Sequence, residues 1–461
     1  ENRDGLGVPC PPFPGRSLDP PIRSRFQIRR IDNPTSEELY EQLILESKMT
    51  DHQQEYDEKQ LALARSCAIM AGAMQDNGML FPFNSLNSVY QTINDFPMEI
   101  PTNVIYRAYP AARTEKSQNV AQYFDAALTT TRNEASTGND VGSDVSQYAI
   151  RSVENVATMD QERSFPQAKV TFESMGEIVD VLAPSGGRAT SGTSSPHIVH
   201  TLGFRKALAA MVQEHASGGR DILLVSPKGE GKNALAQEFA SLLGYDSHLF
   251  AIYSEMSSQD LLLRRSTDQS TGETRWEESP LLRAARRGDV CILDGVEKLR
   301  SDVLSSLQSL MIDRDLSLPD GRRVLRHDRV TGDSSNSIPV HPSFRVVALA
   351  SSDGDSLQFS PEIMSMFSTV HLPTPSDECL RAIMKHSAAH DISVETQDSL
   401  LRLRKAMTGS VADECGVAPL STRNMIRAIR RLGNGLENDL HDVLRSIFLF
   451  DLLLPNQRSV L

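Results

Sequence analysis

Three short apolar runs stand out in the second half of the chain, and each leads into a polar residue. They cover residues 222–225, 290–293 and 344–350. Stretches in which apolar residues recur at helical spacing separate them, beginning with the segment after residue 232. Short buried strands that alternate with helices are typical of a parallel sheet covered on both faces. The pattern therefore predicts an α/β domain, in which ligands bind at the carboxyl ends of the strands.

The first run leads into a glycine loop, Ser226-Pro-Lys-Gly-Glu-Gly-Lys-Asn233, which is followed by a helical pattern. A strand, a glycine loop, a lysine and a helix in this order are typical of a phosphate-binding loop. The N–H groups of such a loop and the positive end of the helix dipole attract phosphate, so the pattern predicts that ATP or ADP is bound. The predicted nucleotide-binding residues in this segment are Gly229, Glu230, Gly231, Lys232, Asn233 and Ala234.

The loop departs at two positions from the usual G-x-x-x-x-G-K-[ST] pattern. Ser226 stands where the first glycine belongs, and Asn233 replaces the hydroxyl residue that would bind Mg²⁺. A glycine turn with a solvent-exposed lysine therefore stays open as the simpler interpretation of the loop taken alone.

Polar residues also follow the other two apolar runs. Asp294 comes directly after the second run and is a candidate ligand for Mg²⁺, together with the amide oxygen of Asn233. Ser351 follows the third run. A single site at the carboxyl edge of a parallel sheet would bring the loop, Asp294 and Ser351 together. The alternative for Asp294 is a residue that merely begins a turn after a core strand.

The rest of the pattern divides the chain. Residues 36–128 have helical periodicity. Residues 129–165 and 184–196 are polar, rich in Ser, Thr and Gly, and are predicted to be linkers; residues 168–182 between them predict a small hairpin. The predicted boundaries are 1–128 for an N-terminal part, 129–196 for a linker with the hairpin, 197–373 for the α/β core and 374–461 for a helical lid.

The amino-acid composition argues against several kinds of partner and site. With 47 basic and 60 acidic residues the net charge is −13, which argues against nucleic acid as a partner. The five cysteines are scattered and form no C-x-x-C pair, which argues against a disulfide scaffold or a zinc site. No apolar run reaches the length that a membrane-spanning helix needs.

Three segments resemble the dynein, midasin and MoxR-like branch of the AAA+ ATPases. Residues 276–294 resemble its helix and Walker B strand, Pro319-Asp-Gly-Arg-Arg-Val324 its hairpin, and residues 341–350 its sensor 1 strand. The resemblance implies a P-loop AAA+ core with a parallel sheet plus a helical lid. It further implies that Ser351 is sensor 1 and that Arg423 is sensor 2, which contacts nucleotide from the lid.

The N-terminal part resembles the same family. Residues 11–26 resemble the end of an AAA+ core, in which Arg25 is an arginine finger, and residues 81–98 resemble the lid behind it. The resemblance implies that residues 1–128 are the C-terminal part and all-α lid of an upstream AAA+ module. Arg25 would then serve the site of a module before it. The implied partners are other AAA+ modules or protein subunits of a larger complex.

Most residues that this family needs for hydrolysis are replaced. Gly295 stands where a catalytic glutamate follows the Walker B aspartate, and Ser351 stands where an asparagine is expected. Met366 stands in the position that Arg25 fills upstream, so Asp294 and Arg25 are the remaining catalytic candidates. We therefore expect a module that binds nucleotide but hydrolyses ATP weakly or not at all, as a structural or regulatory part of a larger assembly.

Two other interpretations stay open. The first is an active ATP-hydrolysing remodelling motor, against which Gly295 is the main observation. The second is a P-loop enzyme outside the AAA+ family, such as a kinase, against which the hairpin and the lid helices argue. The member of this branch that the chain most resembles is mitochondrial. The resemblance thus implies a location on the matrix side, with a transit peptide upstream of Glu1.

Overall fold

The fold consists of a helical N-terminal region, a small antiparallel sheet, an α/β core and a group of C-terminal helices. The computed structural model describes residues 32–50, 57–131, 145–156, 165–188, 198–267, 272, 274–330, 336–352, 359, 364–388, 393–407, 419–433 and 440–448. Among these residues no helix is both long enough and apolar enough to cross a membrane.

The N-terminal region is helical. Its helices are α1 Ser36–Thr50, α2 Glu58–Asp76, α3 Phe83–Asp95, α4 Pro101–Ala108 and α5 Glu115–Thr131. A capping box starts α1: Thr35 Oγ1 accepts from the N–H of Glu38 at 3.3 Å, and Glu38 accepts from the N–H of Thr35 at 2.7 Å. Leu43, Met74 and Ile105 are buried in an apolar core that belongs to these helices. The predicted all-helical character of the region is confirmed.

A three-stranded antiparallel sheet follows, with β1 Ala149–Val156, β2 Gln167–Ser174 and β3 Glu177–Pro184 in that order. Met175 and Gly176, both with positive φ, form the turn of the predicted hairpin. The prediction that residues 129–165 are entirely linker is wrong for β1. Half of the residues of that strand are polar and most are exposed, so its sequence carries only a weak strand signal, and pairing with β2 stabilises it. Residues 132–144, 157–164 and 189–197 of the predicted linkers lie outside the described residues.

The α/β core is built on a parallel sheet of five strands. Its elements are α6 Leu202–Gln213, β4 Asp221–Ser226, α7 Lys232–Leu242, β5 Ser247–Ala251, α8 Ser258–Leu262, β6 Leu263–Thr267, β7 Thr274–Glu278, α9 Pro280–Arg287, β8 Val290–Asp294, α10 Ser301–Ser305, α11 Gln308–Ile312, β9 Leu316–Ser317, β10 Arg323–Arg326, β11 Ser337–Val340, β12 Arg345–Ser351 and β13 Phe367–His371. The five strands of the sheet have the order β13-β4-β12-β8-β5, and all neighbouring pairs are parallel, which confirms the predicted sheet.

Alternate residues of β4 face opposite sides of this sheet. Ile222 and Leu224 belong to one apolar cluster, whereas Leu223 and Val225 belong to another. Both faces of the strand are therefore buried, which explains why its sequence is a continuous apolar run instead of an alternating one. The order of the strands also matters for the site, because β12 lies between β4 and β8.

The C-terminal helices have an apolar core of their own. They are α12 Asp377–Ser387, α13 Val394–Met407, α14 Thr422–Gly433 and α15 Leu440–Ile447. Leu380, Leu400, Met425 and Val443 pack together in this core. The group corresponds in position to the predicted lid, and α14 begins directly against the glycine loop of the α/β core.

Buried polar contacts join the N-terminal helices to the α/β core. Arg107 on α4 donates from Nε to Oε1 of Glu214 at 2.8 Å, and both side chains are fully buried. Gln213 at the end of α6 donates from Nε2 to Oε1 of Glu99 at 3.0 Å. Because buried charges are costly unless they are paired, these contacts fix how the helices pack on the core.

Candidate functional site

The glycine loop joins the end of β4 to the start of α7. Gly229 has φ +83° and Gly231 has φ +107°, a region of conformation that glycine adopts far more readily than other residues. The N–H of Leu235 bonds to the carbonyl of Gly231 at 3.0 Å and closes the first turn of α7. The N–H groups of residues 232–234 precede that bond and point out of the start of the helix. These donors stand at the positive end of the helix dipole, where phosphate binds in such loops.

Lys232 is folded back over its own loop. Its Nζ donates to the carbonyl oxygen of Ser226 at 2.5 Å and to that of Pro227 at 3.0 Å. A bound phosphate would have to replace these carbonyls as the partner of the ammonium group. A charge-assisted bond to phosphate is stronger than one to a neutral carbonyl, so the exchange favours the ligand.

Asn233 and Asp294 meet at the carboxyl edge of the sheet. Asn233 Nδ2 donates to Asp294 Oδ2 at 3.1 Å. Mg²⁺ binds oxygen atoms, commonly one or two from protein and the rest from water and phosphate. Asp294 offers carboxylate oxygens, and Asn233 offers Oδ1 once its amide turns over. The two residues therefore fit Mg²⁺, provided that the amide N–H first leaves the carboxylate. The described residues contain no cluster of three or more His, Cys, Asp or Glu side chains that could hold a metal ion.

Ser351 lies between these two groups because β12 separates β4 from β8. It pairs in register with Ser226, and the N–H of Ser352 donates to the carbonyl of Ser226 at 3.1 Å. Ser351 is buried, at 5% exposure. The structure thus brings the end of the sensor strand directly beside the first residue of the glycine loop.

The position after Asp294 has a backbone that disfavours a glutamate. Gly295 has φ +91°, and its N–H donates to the carbonyl of Leu349 at 3.0 Å. A Cβ atom at this position would lie 3.0 Å from Nζ of Lys298. A side chain at residue 295 would therefore be strained by the backbone and crowded by Lys298.

The lid meets the loop through main-chain and side-chain contacts. The N–H of Arg423 donates to the carbonyl of Gly229 at 3.0 Å, while the Arg423 side chain is exposed. A Cβ on Gly229 would lie 2.5 Å from Oγ of Ser421, so the close approach of the lid also requires glycine here. Arg423 is therefore adjacent to the loop, and the nucleotide contact that the resemblance implies for it stays a prediction.

Glu230 is oriented towards the lid, and its carboxylate is buried there at 8% exposure of the residue. It accepts from Arg404 Nη2 at 3.1 Å and from Thr422 Oγ1 at 2.6 Å. Sequence reasoning placed Glu230 among the nucleotide contacts and missed Arg404 and Thr422. The sequence does contain a sign that Arg404 is buried, because Arg404 lies at helical spacing from the apolar residues Leu400, Leu401 and Met407. A charge on the apolar face of a helix needs a buried partner.

The other two positions considered for hydrolysis are Arg25 and Met366. Arg25 lies outside the described residues. Met366, which stands in the finger position of this core, is buried at 3% exposure among apolar residues.

Comparison with known proteins places the α/β core in a family. Residues 221–367 match the family described as AAA domain (dynein-related subfamily). The chain is 32% identical over 464 residues to von Willebrand factor A domain-containing protein 8 of Mus musculus, covering 95% of this chain and 23% of that protein. It is 34% identical over 139 residues to protein NorQ of Paracoccus denitrificans, covering 30% of this chain and 46% of NorQ. A solved structure of a mutant of Thermotoga maritima RuvB is 18% identical, with 59% of this chain and 75% of that chain covered and a TM-score of 0.34.

The α/β core is thus an AAA+ P-loop domain, and the chain contains an AAA domain of the dynein-related subfamily. The predicted resemblance to that branch is confirmed, and the relationship to the mouse protein extends over nearly the whole chain. This chain spans 23% of the length of the mouse protein and 46% of that of NorQ.

Proposed function

We propose that the site binds ATP or ADP and hydrolyses ATP slowly or not at all, as a structural or regulatory part of a larger assembly. One observation carries the binding part of the proposal. The N–H groups at the start of α7, the Lys232 side chain and the Asn233–Asp294 pair lie together at the carboxyl edge of a parallel sheet, with Arg423 adjacent. This is where ligands bind in open α/β sheets.

The low rate follows from what surrounds Asp294. Hydrolysis of a nucleoside triphosphate needs a group that orients the attacking water and positive charge that stabilises the transition state. Gly295 offers no side chain, and Met366 is apolar and buried. The loss of one stabilising donor typically costs about 10² to 10³ in rate.

Mg²⁺ would be held by Asp294 and by Oδ1 of Asn233. When bound, it would shield the negative charge of the β- and γ-phosphates. The other interactions with the phosphates would come from the protein: the N–H groups of residues 232–234 hold them, and Lys232 supplies positive charge. Ser351, a hydroxyl at the end of β12, offers a hydrogen bond near the same phosphates.

An active remodelling motor is the second candidate. The observation that favours it is the direct contact between lid and loop through Arg423 and Gly229. A lid that closes on the phosphate loop is what a module needs to convert nucleotide binding into movement. The two candidates differ in turnover and agree on nucleotide binding.

The partners in this proposal are other AAA+ modules or protein subunits. The N-terminal helices would be the lid of an upstream module, packed on this core through Arg107 and Glu214. The net charge of −13 disfavours nucleic acid. A mitochondrial location on the matrix side is part of the proposal and rests on the resemblance alone.

A titration with fluorescent ATP and ADP analogues tests the binding site. Lys232→Ala should abolish binding, because it removes the ammonium group that we propose exchanges its carbonyl partners for phosphate. Lys228→Ala is the matched control, since Lys228 is an exposed lysine of the same loop. It should leave the affinity within about threefold of the wild type, because exposed charges contribute little. Equal affinity in the wild type and Lys232→Ala would refute the proposed site.

A further inference from the structure

Glu230 places a negative charge inside a phosphate-binding loop. It lies between Gly229 and Gly231, whose conformations shape the loop, and only one residue separates it from Lys232. The pattern that defines such loops leaves this position unspecified. A carboxylate here is unfavourable for phosphate binding, because like charges repel over several ångströms in the low-dielectric surroundings of a buried group.

The lid supplies the charge that offsets Glu230. Arg404 on α13 donates from Nη2 to Glu230 Oε1 at 3.1 Å, and the two side chains are 10% and 4% exposed. Arg404 Nη1 also donates to Thr422 Oγ1 at 3.1 Å. Thr422 donates in turn to Glu230, from Oγ1 to Oε2 at 2.6 Å and from N to Oε1 at 3.3 Å.

The lid thus surrounds the carboxylate with donors from two helices. The N–H of Thr422 belongs to the first turn of α14, where the helix dipole favours negative charge. Arg404 adds a full positive charge from α13. Buried ion pairs that also have their remaining hydrogen bonds satisfied hold a fixed geometry. Glu230 is therefore a point at which lid side chains hold the phosphate loop, beside the main-chain contact between Arg423 and Gly229.

We propose that Arg404 is a positioning residue for nucleotide binding: by neutralising Glu230 and holding it towards the lid, it keeps the loop receptive to phosphate. This inference rests on the proposed nucleotide-binding function and deepens it. Arg404 itself touches Glu230 and Thr422 and acts on the nucleotide through them. The affinity of the loop for phosphate then depends on whether the lid is docked.

The negative charge of Glu230 should affect the binding of ATP and ADP to different extents. Removing Arg404 leaves the Glu230 carboxylate unneutralised beside the loop, and the penalty grows with the charge on the ligand. The loss of affinity should therefore be larger for ATP than for ADP. A second substitution that removes the carboxylate should restore binding, since the replacement of both members of a buried pair by neutral residues is often tolerated.

The experiment measures ATP and ADP affinities by calorimetric titration for the wild type, Arg404→Met, Glu230→Gln and the double variant. Arg404→Met should weaken ATP binding by about tenfold or more, corresponding to about 1.4 kcal/mol. The double variant should recover most of that loss. Arg402→Met is the matched control, because Arg402 is an exposed arginine on the same helix, and it should bind ATP as the wild type does. Thermal unfolding of each variant shows that it is folded.

Two results would overturn the inference. One is an Arg404→Met variant that binds ATP as tightly as the wild type. The other is a folded double variant that binds as weakly as Arg404→Met, since a loss that persists without the carboxylate cannot arise from the charge of Glu230. A wild-type chain that binds no nucleotide overturns the proposed function as well, which distinguishes the two failures.

Discussion

Asn233 donates a hydrogen bond from its amide to the carboxylate of Asp294 at 3.1 Å, across the edge where the nucleotide site is proposed. In the usual loop pattern a hydroxyl residue at position 233 binds Mg²⁺ together with an acidic residue. Here the amide N–H of Asn233 donates directly to one carboxylate oxygen of Asp294. The chain therefore has a way of stabilising Asp294 that needs no metal ion.

The first prediction concerns Mg²⁺. Asn233→Thr removes the amide N–H from Asp294 and restores a hydroxyl ligand, so ATP binding should become more dependent on Mg²⁺. A hydrogen bond to a charged group is worth about 1.5–3 kcal/mol, and about 1.4 kcal/mol corresponds to a tenfold change in affinity. The ratio of ATP affinities with Mg²⁺ and with EDTA should therefore rise by about tenfold in the variant. An unchanged ratio would show that the amide does not compete with the metal.

The second prediction concerns Gly295. Its φ of +91° is costly for any residue with a side chain, so Gly295→Glu should lower the free energy of unfolding by about 1–2 kcal/mol. It should not produce rapid ATP turnover, because the strained backbone misplaces the new carboxylate. Gly295→Ala is the control for the backbone effect and should be destabilised equally. A stable Gly295→Glu variant with rapid turnover would contradict this account of the site.

A third prediction concerns the contact between the N-terminal helices and the core. Glu214→Ala removes the nearer carboxylate from the fully buried Arg107 and leaves that of Glu99, 3.6 Å from Nη1. Breaking a buried pair in this way typically lowers the free energy of unfolding by about 3–5 kcal/mol. Because the contact with Glu99 remains, we expect a loss of about 3 kcal/mol. Denaturant unfolding measures the loss.

The control for that experiment is an exposed ion pair. Glu173 lies 3.8 Å from Arg151, and both side chains are about half exposed. Glu173→Gln should change stability by less than about 0.5 kcal/mol. If Glu214→Ala proved equally harmless, the buried contact would not hold the helices on the core.

The fourth prediction concerns pH. Burial, with a smaller contribution from the nearby charge of Arg345, lowers the pKa of His215 to about 3 from an ordinary 6.5. The neutral ring bonds to the carbonyl of Pro184 at 2.8 Å. Because the pKa of His215 is lower in the folded state, its contribution to the free energy of unfolding is complete above pH 6.5. That contribution is lost as the pH falls towards 3. At pH 5 the loss from this residue should be about 2 kcal/mol.

His215→Gln keeps a hydrogen-bond donor for Pro184 but does not titrate. The gap in stability between the wild type and this variant should therefore narrow as the pH falls from 7 to 5. Thermal unfolding at several pH values measures the gap, and subtraction of the variant removes the contribution of all other titrating groups. A gap that stays constant would contradict the prediction, because it would show that the pKa of His215 is the same in the folded and unfolded states.

The sequence predicts the main elements of the site because parallel strands align their carboxyl ends. Ser226, Asp294 and Ser351 each follow a short apolar run, so a parallel sheet brings them to one edge wherever the strands lie. What the sequence does not give is the strand order that puts Ser351 between the other two. It also does not give the positive φ of Gly295, since glycine is compatible with either sign of φ.

Long-range contacts account for the rest that sequence reasoning missed. Glu230 and Arg404 are 174 positions apart, and nothing local at either residue identifies the other. The β1 strand was missed for a related reason, since half of its residues are polar and it is stabilised by pairing with β2. Arg25 and much of the predicted linkers lie outside the described residues, so the role of Arg25 and the extent of those linkers stay predictions.

The most direct test of the central claim is the rate of phosphate release from saturating Mg²⁺-ATP by a chain shown to bind nucleotide. The account predicts bound ATP that persists intact, with turnover far below about 1 s⁻¹, the lower end of the usual enzyme range. Binding itself should be lost in Lys232→Ala. Turnover at about 1 s⁻¹ or faster, abolished by Lys232→Ala, would contradict the account and support an active motor instead.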